Sequence, residues 1–281
     1  MSSRRNPIDI TLGNRTNRAA RWLASAAVAA VLALPMAGCK TTGDDVTGSV
    51  GSSATPRSDA DWRKSLEVWG ARYREDPANP EVSLRYAQAL RATDQRAQAV
   101  AVLEQSSMRN PGDMALLGAY GRALAEAGDF GQALDVLGRA HTPDNPDWRV
   151  LNAQGAVLDQ MGRHAEAQKM YSSALKIAPE EPSVLSNLGL SYALMKNLKL
   201  AESTLRRALA QPNAAPKARQ NLALVVGLQG RFAEAENIAR ADLPHDEAAT
   251  NVTYLRQMLA QQNAWKKTGR KPTMPPPDAG T

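Results

Sequence analysis

From Pro80 onward, large apolar residues recur three and four positions apart, with small or polar residues between them. Leu185, Leu188 and Tyr192 are one such set. This spacing places the apolar side chains on one face of an α-helix. Ala is abundant and clusters of β-branched residues are few, which also favours helices. The pattern predicts an all-α fold made of short amphipathic helices.

The helical pattern repeats with a period of 34 residues. Gly155 recurs as Gly189, and Ala167 recurs as Ala201. When each unit is numbered from 1, position 8 is Gly or Ala and position 20 is Ala in every unit. The five units begin at Pro80, Met114, Trp148, Pro182 and Pro216. Self-similarity at a fixed period of this size predicts stacked repeats.

Each residue type that recurs at a fixed position of the unit has a physical reason. A small residue at position 8 lets two helices approach closely, and we expect it to face the Ala at position 20. Large residues at positions 4, 7, 11 and 24 then fill the surrounding space. Gly at position 15 accepts the left-handed conformation that ends a helix. That position holds Gly128, Gly162 and Gly230. Pro near position 32 stops the second helix.

This pattern resembles the tetratricopeptide repeat (TPR). The resemblance implies an all-α TPR solenoid of about five helix-turn-helix repeats. We expect capping helices at both ends, because an uncovered terminal repeat exposes an apolar face. The first cap is a half-repeat near residues 59–76, with Trp62, Leu66, Trp69 and Tyr73. The last is a helix from Asp246 to Lys266, so the solenoid domain is predicted to span residues 59–266.

Residues 1–38 have the features of a signal peptide. Five Arg and one acid, Asp9, precede the uncharged apolar run Trp22–Leu34. The run is short for a membrane span and suits a signal-peptide core. Met36-Ala37-Gly38-Cys39 then resembles the lipobox of bacterial lipoproteins, which implies lipidation of Cys39. A plain secretory signal or an uncut anchor remains an alternative, and Arg4-Arg5 leaves a twin-arginine signal open.

Two further segments lie outside the predicted solenoid. Residues 39–58 are dominated by Thr, Gly, Ser and Asp, which predicts a flexible tether. Residues 267–281 contain four Pro and few apolar residues, which predicts a disordered Pro-rich tail. The lipoprotein resemblance implies membrane attachment through the lipid. Lys40, directly after the Cys, implies the periplasmic face of the outer membrane.

Charge and composition narrow the chemistry. The chain of 281 residues carries a formal charge of +6. Removal of residues 1–38 leaves 29 basic against 27 acidic side chains, so nucleic-acid binding is not implied. His141, His164 and His245 have no metal-ligand spacing, and no catalytic or cofactor motif is present. We therefore expect no enzyme, no cofactor and no metal. Glu166, Glu202 and Glu234 are interpreted as solvent-facing surface residues.

The TPR resemblance implies that the first helices of the units line a concave, peptide-binding groove. An acidic part of a peptide would contact the basic end, and apolar side chains would contact Leu190, Leu194, Leu224 and Leu228 at the other. Asn187 and Asn221 occupy position 6 of successive units, where amides either hold a peptide backbone or serve packing. The candidate groove residues are Arg85, Gln88, Arg91, Arg122, Arg149, Asn152, Asn187, Lys217 and Asn221.

A lipobox, a short tether and about five repeats together resemble the TadD-like TPR lipoproteins of Flp pilus assembly, the tight-adherence (Tad) secretion system. The resemblance implies a periplasmic scaffold that binds protein partners, among them a secretin or another pilus-assembly component. Three alternatives stay open. They are a type IV pilus pilotin, an outer-membrane assembly factor, and a recruiter or regulator of cell-wall enzymes.

Overall fold

The computed structural model describes residues 58–268, with side chains as far as Ala264. Within these residues the protein consists of twelve α-helices, no β-strand, and one isolated bridge between Thr142 and Asn145. The helices are α1 Asp59–Glu75, α2 Pro80–Ala92, α3 Arg96–Arg109, α4 Met114–Ala127, α5 Phe130–Arg139, α6 Trp148–Gln160, α7 His164–Ile177, α8 Pro182–Leu194, α9 Leu198–Leu209, α10 Pro216–Leu228, α11 Phe232–Ala239 and α12 His245–Thr268.

The five units predicted from the period are five helical hairpins, α2–α3 through α10–α11. Each helix packs against the next helix along the chain. The first helix of each hairpin also contacts the first helix of the following hairpin. This contact pattern stacks the hairpins and lines up α2, α4, α6, α8 and α10 along one face. The prediction of a solenoid is confirmed.

The boundaries between helices follow from local sequence. Pro80, Pro182 and Pro216 open α2, α8 and α10, where the missing N–H of Pro costs no hydrogen bond. At position 15 the chain turns with a positive φ in all five units. The values are 60° at Asp94, 90° at Gly128, 74° at Gly162, 62° at Lys196 and 84° at Gly230. The turn at this position is thus imposed by the hairpin geometry, whether or not the residue is Gly.

The closest contact inside the hairpins corrects one expectation. A Cβ atom on Gly121, Gly155 or Gly189 at position 8 would lie 2.5–2.6 Å from the side chain at position 24. Those side chains are Leu137, Tyr171 and Leu205. The Ala at position 20 contributes its backbone carbonyl, 3.3 Å away in the second and fourth units. The small residue therefore makes room for a large residue at position 24 rather than facing the Ala side chain.

Both ends of the stack are covered as predicted. Leu66 and Tyr73 of α1 pack against the core of the first units, and the rings of Tyr73 and Tyr86 lie 5.3 Å apart. At the other end, α12 buries Val252 and Leu255 against α10. None of the helices between residues 58 and 268 is both long enough and apolar enough to cross a membrane. The predicted signal peptide, Cys39, most of the predicted tether and residues 269–281 lie outside the described residues.

Candidate functional site

A cavity of about 670 Å³ lies on the face formed by the first helices of units two to five. α4, α6, α8 and α10 supply most of its walls, and the start of α5 and the loop before α10 complete them. Its polar lining includes Arg122, Arg149, Asn152, Asn187, Asn213 and Lys217. Its apolar lining includes Phe130, Trp148, Ala153, Ala156 and Val157. The cavity therefore combines cationic, amide and aromatic groups.

Basic groups dominate the charge of the cavity. Arg122, Arg149 and Lys217 line it together with two carboxylates, Glu126 and Glu181. Glu126 accepts hydrogen bonds from both Nε and Nη2 of Arg91 in the preceding unit, with Nε at 2.7 Å. This bidentate pair neutralises Glu126 from outside the cavity.

Glu181 serves as the N-cap of α8. Its Oε1 accepts hydrogen bonds from the backbone N–H of Ser183, at 3.4 Å, and from Ser183 Oγ, at 3.0 Å. The positive end of the helix dipole further stabilises this carboxylate. Both acidic groups of the cavity are thus already engaged by groups of the protein.

Arg149 is positioned by an aromatic ring and by one distant carboxylate. Its guanidinium carbon lies 4.5 Å from the centroid of the Trp148 ring, a cation–π arrangement. Oδ1 of Asp147 forms a long ion pair with Nη1 at 4.0 Å. Nε of Arg149 has no hydrogen-bond partner among the described residues. Because the ion pair is long and both side chains are partly exposed, it offsets the charge of Arg149 only weakly.

Amide side chains connect successive first helices beneath the cavity. Nδ2 of Asn187 donates to Oδ1 of Asn152 at 3.0 Å, and Nδ2 of Asn221 donates to Oγ of Ser186 at 3.0 Å. In both cases position 6 of one unit bonds to position 5 of the unit before it. Between units two and three these positions are Ala153 and Gly118, which cannot form the bridge.

The missing bridge leaves room for Arg122. Its Nη1 lies 3.4 Å from the point where a Cβ on Gly118 would stand. Gly118 has no side chain to displace the guanidinium, and Ala153 presents only a methyl group to the cavity. Arg122 therefore occupies the space beside Gly118, and of these two small residues only Ala153 lines the cavity.

The structure brings together five of the nine predicted groove residues. Arg122, Arg149, Asn152, Asn187 and Lys217 line the cavity. Arg85 and Gln88 are exposed on α2 outside it, and Arg91 pairs with Glu126. Asn221 is 9% exposed and is bonded to Ser186.

The apolar part of the site was misplaced at the sequence level. Leu190, Leu194, Leu224 and Leu228 do not line the cavity, whereas Phe130, Trp148 and Val157 do. Trp148 stands at position 1 of its unit, directly before the groove position of Arg149, and this adjacency was the available signal. At Arg149 a basic group and an aromatic group therefore lie side by side, and a second basic residue, Lys217, lines the cavity from α10.

A polar cluster surrounds Asp159 at the end of α6. Oδ1 of Asp159 accepts a hydrogen bond from Ser191 Oγ at 2.9 Å and lies 2.8 Å from Nδ1 of His164. Oδ2 accepts a hydrogen bond from the Tyr171 hydroxyl at 2.9 Å. Burial raises the pKa of Tyr171, and the neighbouring Asp159 raises it further. The cluster fastens α6, α7 and α8 directly behind the cavity wall.

The three repeated glutamates do not share one environment. Glu166 is exposed and pairs with Arg163, as expected of a surface residue. Glu202 is 15% exposed and accepts hydrogen bonds from Arg206, Arg231 and Gln229. Burial raises the pKa of Glu202, but these hydrogen bonds outweigh burial and the pKa is lowered overall.

The network extends across the junction of units four and five. Arg206 and Arg231 also bind Glu234, at 2.8 Å for Arg206. The interpretation of Glu202 as a solvent-facing residue is therefore wrong. Its carboxylate is a shared acceptor between two units.

Among residues 58–268, no group of three or more His, Cys, Asp or Glu side chains is placed to hold a metal ion.

Sequence comparison identifies the repeats. Family models described as tetratricopeptide repeat match residues 70–123 and residues 149–181. The first segment covers the end of the half-repeat, the first unit and part of the second, and the second segment covers nearly all of the third unit. No curated protein matches the chain by sequence.

Solved structures share the architecture. PilW, described as a widely conserved type IV pilus biogenesis factor, is 16% identical with a TM-score of 0.61, covering 69% of this chain and 91% of PilW. The APC/C hetero-tetramer Cut9-Hcn1 is 15% identical with a TM-score of 0.56, covering 69% and 40%. The human IFIT1 dimer with m7Gppp-AAAA is 15% identical with a TM-score of 0.58, covering 75% and 52%. At these identities the likeness concerns the fold.

Proposed function

We propose that this TPR solenoid, a scaffold fold typical of protein-binding proteins, is a membrane-anchored scaffold. It binds protein partners in order to assemble an envelope machine. The proposed machine is the Flp (Tad) pilus and secretion apparatus. The proposed anchor is a lipid on Cys39, which holds the solenoid at the periplasmic face of the outer membrane.

The cavity on the first-helix face carries the binding part of this proposal. Its 670 Å³ volume is open to an extended segment, and its lining mixes aromatic groups with a few placed polar groups. Asn152 and Asn187 bond to one another through one donor and one acceptor. Each amide keeps further hydrogen-bonding capacity for a bound backbone.

The membrane part of the proposal is supported by the sequence. Met36-Ala37-Gly38-Cys39 follows an apolar run, and Cys39 is the single Cys of the chain. A lipid on Cys39 with more than one acyl chain provides stable anchoring, whereas one chain binds marginally.

A second candidate is a role in a type IV pilus system. It is favoured by the fold of PilW, which spans nearly its whole length when aligned with this chain. Both candidates place the scaffold in a pilus-assembly machine of the envelope. They differ in the partner that the cavity receives.

Affinity purification of the tagged full-length chain from cell envelopes tests the proposal. Co-purification of a secretin or another Flp assembly protein supports the first candidate, and co-purification of type IV pilus components selects the second. Recovery of cell-wall hydrolases alone would contradict both and would favour a recruiter of cell-wall enzymes. Recovery of no envelope protein would overturn the scaffold proposal.

A further inference from the structure

We infer that the cavity receives an acidic protein segment that carries an aromatic or large apolar side chain between its carboxylates. This inference rests on the proposed function, because it names the chemistry of the partner that the cavity binds. Three features of the described residues carry it: weakly paired positive charge, an aromatic wall, and the small side chain of Ala153 in the cavity lining.

The charge of the cavity favours carboxylates. Glu126 is neutralised by Arg91, and Glu181 is committed to the N-terminus of α8. Arg149 has no carboxylate within hydrogen-bonding distance, and Lys217 takes part in no salt bridge among the described residues. A ligand with carboxylates therefore pairs with Lys217 and gives Arg149 a closer partner than Asp147 at 4.0 Å. Arg–carboxylate contacts of this kind are charge-assisted and directional.

The position of the cations sets the geometry of the ligand. Arg149 lies on α6 and Lys217 lies on α10, two units further along the stack. α8, with Asn187, lies between them. A segment that satisfies both cations must run along the stack across the first helices. Two separated carboxylates on an extended chain fit this arrangement better than a single anionic group.

The aromatic wall adds an apolar contact to the recognition of carboxylates by the basic side chains. Phe130 and Trp148 line the same end of the cavity as Arg149. The indole of Trp148 already has the Arg149 guanidinium over its ring. Ala153 presents only a methyl group to the cavity, at the position where Asn187 forms an amide bridge one unit later. An apolar side chain placed beside a carboxylate would bury surface against Phe130 while its carboxylate meets Arg149.

Fluorescence anisotropy with three labelled peptides tests the inference on the full-length chain. The first peptide is Gly-Asp-Glu-Phe-Glu-Asp-Gly, the second replaces every carboxylate by the corresponding amide, and the third replaces Phe by Ala. We expect the first peptide to bind most tightly and its affinity to fall as salt is raised. Equal binding of the amide peptide would overturn the acidic class, and equal binding of the Ala peptide would overturn the apolar anchor.

Matched variants locate the binding. Arg149→Gln with Lys217→Gln should weaken binding of the acidic peptide about tenfold, which equals about 1.4 kcal/mol, the amount expected of two partly exposed ion pairs. Lys169→Gln with Lys199→Gln removes the same charge from exposed positions outside the cavity. Binding by this control should change less than about twofold. An equal loss in the control would show a general charge effect and overturn the inference.

Two further measurements keep the outcomes distinct. Lys217→Gln alone preserves the Trp148–Arg149 contact and should still weaken binding, so a fold defect of the double variant does not hide the result. Ala153→Trp fills the cavity beside Phe130. If the native partner is lost with Ala153→Trp while the acidic peptide never binds, the acidic class is wrong and the proposed function stands. If the Ala153→Trp variant still binds the native partner, the cavity is not the binding site. Both this inference and the proposed function of the cavity are then wrong.

Discussion

A Cβ atom on Gly155 would stand 2.5 Å from Cε1 of Tyr171. The ring of Tyr171 cannot move aside easily, because it is 1% exposed and its hydroxyl is bonded to Asp159. α6 and α7 therefore approach as closely as a hairpin with a Tyr at position 24 allows. The absent side chain at position 155 is what permits a ring and a buried polar cluster in this unit.

The first prediction concerns this contact. Gly155→Ala should destabilise the fold by about 1–3 kcal/mol, the range found for overpacked cores, despite the better helix propensity of Ala. Gly138→Ala is the matched control, since nothing lies within 4 Å of its Cβ position on α5. It should be neutral or stabilise by up to about 1 kcal/mol. Urea unfolding followed by circular dichroism measures both, and equal stabilities would contradict the close approach.

The second prediction concerns Tyr171 and alkaline pH. Burial raises the pKa of Tyr171 above its ordinary value of 10.0. Its contribution to stability is therefore complete below about pH 10 and is lost as the pH rises further, because the unfolded chain releases the proton first. Tyr171→Phe should reduce this alkaline loss. At neutral pH it should cost about 1–3 kcal/mol, because Asp159 loses a buried donor.

Tyr120 provides the internal comparison for that experiment. Burial raises the pKa of Tyr120 to about 12, with Glu104 adding to the shift. Part of the alkaline loss should therefore remain in Tyr171→Phe. Unfolding free energies measured from pH 8 to pH 11 test both statements. An unchanged alkaline slope in Tyr171→Phe would contradict the burial of its hydroxyl.

The third prediction concerns Glu202 and acid. Hydrogen bonds from Gln229, Arg206 and Arg231 lower the pKa of Glu202 below its ordinary value of 4.5, against the effect of burial. Its contribution is thus present above the unfolded pKa and is lost as the pH falls. Glu202→Gln should unfold more easily at pH 7, by about 1 kcal/mol for a network of this kind. It should also lose less stability than the unchanged chain below about pH 5. If the unfolding free energies of the two proteins fall in parallel as the pH is lowered, Glu202 is not a shared acceptor.

The fourth prediction concerns membrane attachment. Cys39→Ala should release the chain from membranes or stop its maturation, because acyl chains on Cys39 are the proposed anchor. Metabolic labelling with a fatty acid and membrane fractionation measure the effect. A chain that fractionates with membranes in both forms and takes up no lipid label would contradict lipidation.

The stack could be predicted from the sequence because it depends on residues within one unit. Position 8, position 20 and the helix-ending turn recur every 34 residues, and each acts through neighbours in its own hairpin. The left-handed turns at Asp94 and Lys196 were not predicted, because no Gly marks them. The geometry of the hairpin imposes the turn in every unit, and its sequence signal is visible in only three.

The cavity was harder to predict because it depends on pairs of residues in different units. Asn187 meets Asn152 and Asn221 meets Ser186 across 35 residues, and only the distance between helices decides these contacts. Gly118 and Ala153 attract no notice in the sequence, yet their small size removes the bridge between units two and three and leaves room for Arg122. The same limit applies to Glu202, whose partner Arg231 comes from the next unit.

The most direct test of the account is site-specific photocrosslinking in cells. A photoreactive amino acid at position 187, on the cavity wall, is compared with one at position 169, exposed on α7 and away from the cavity lining. We expect a crosslink from position 187, and none from position 169, to one protein that mass spectrometry identifies as a pilus-assembly component. A crosslink to that protein from position 169 and none from position 187 would contradict the central claim that this cavity binds the partner.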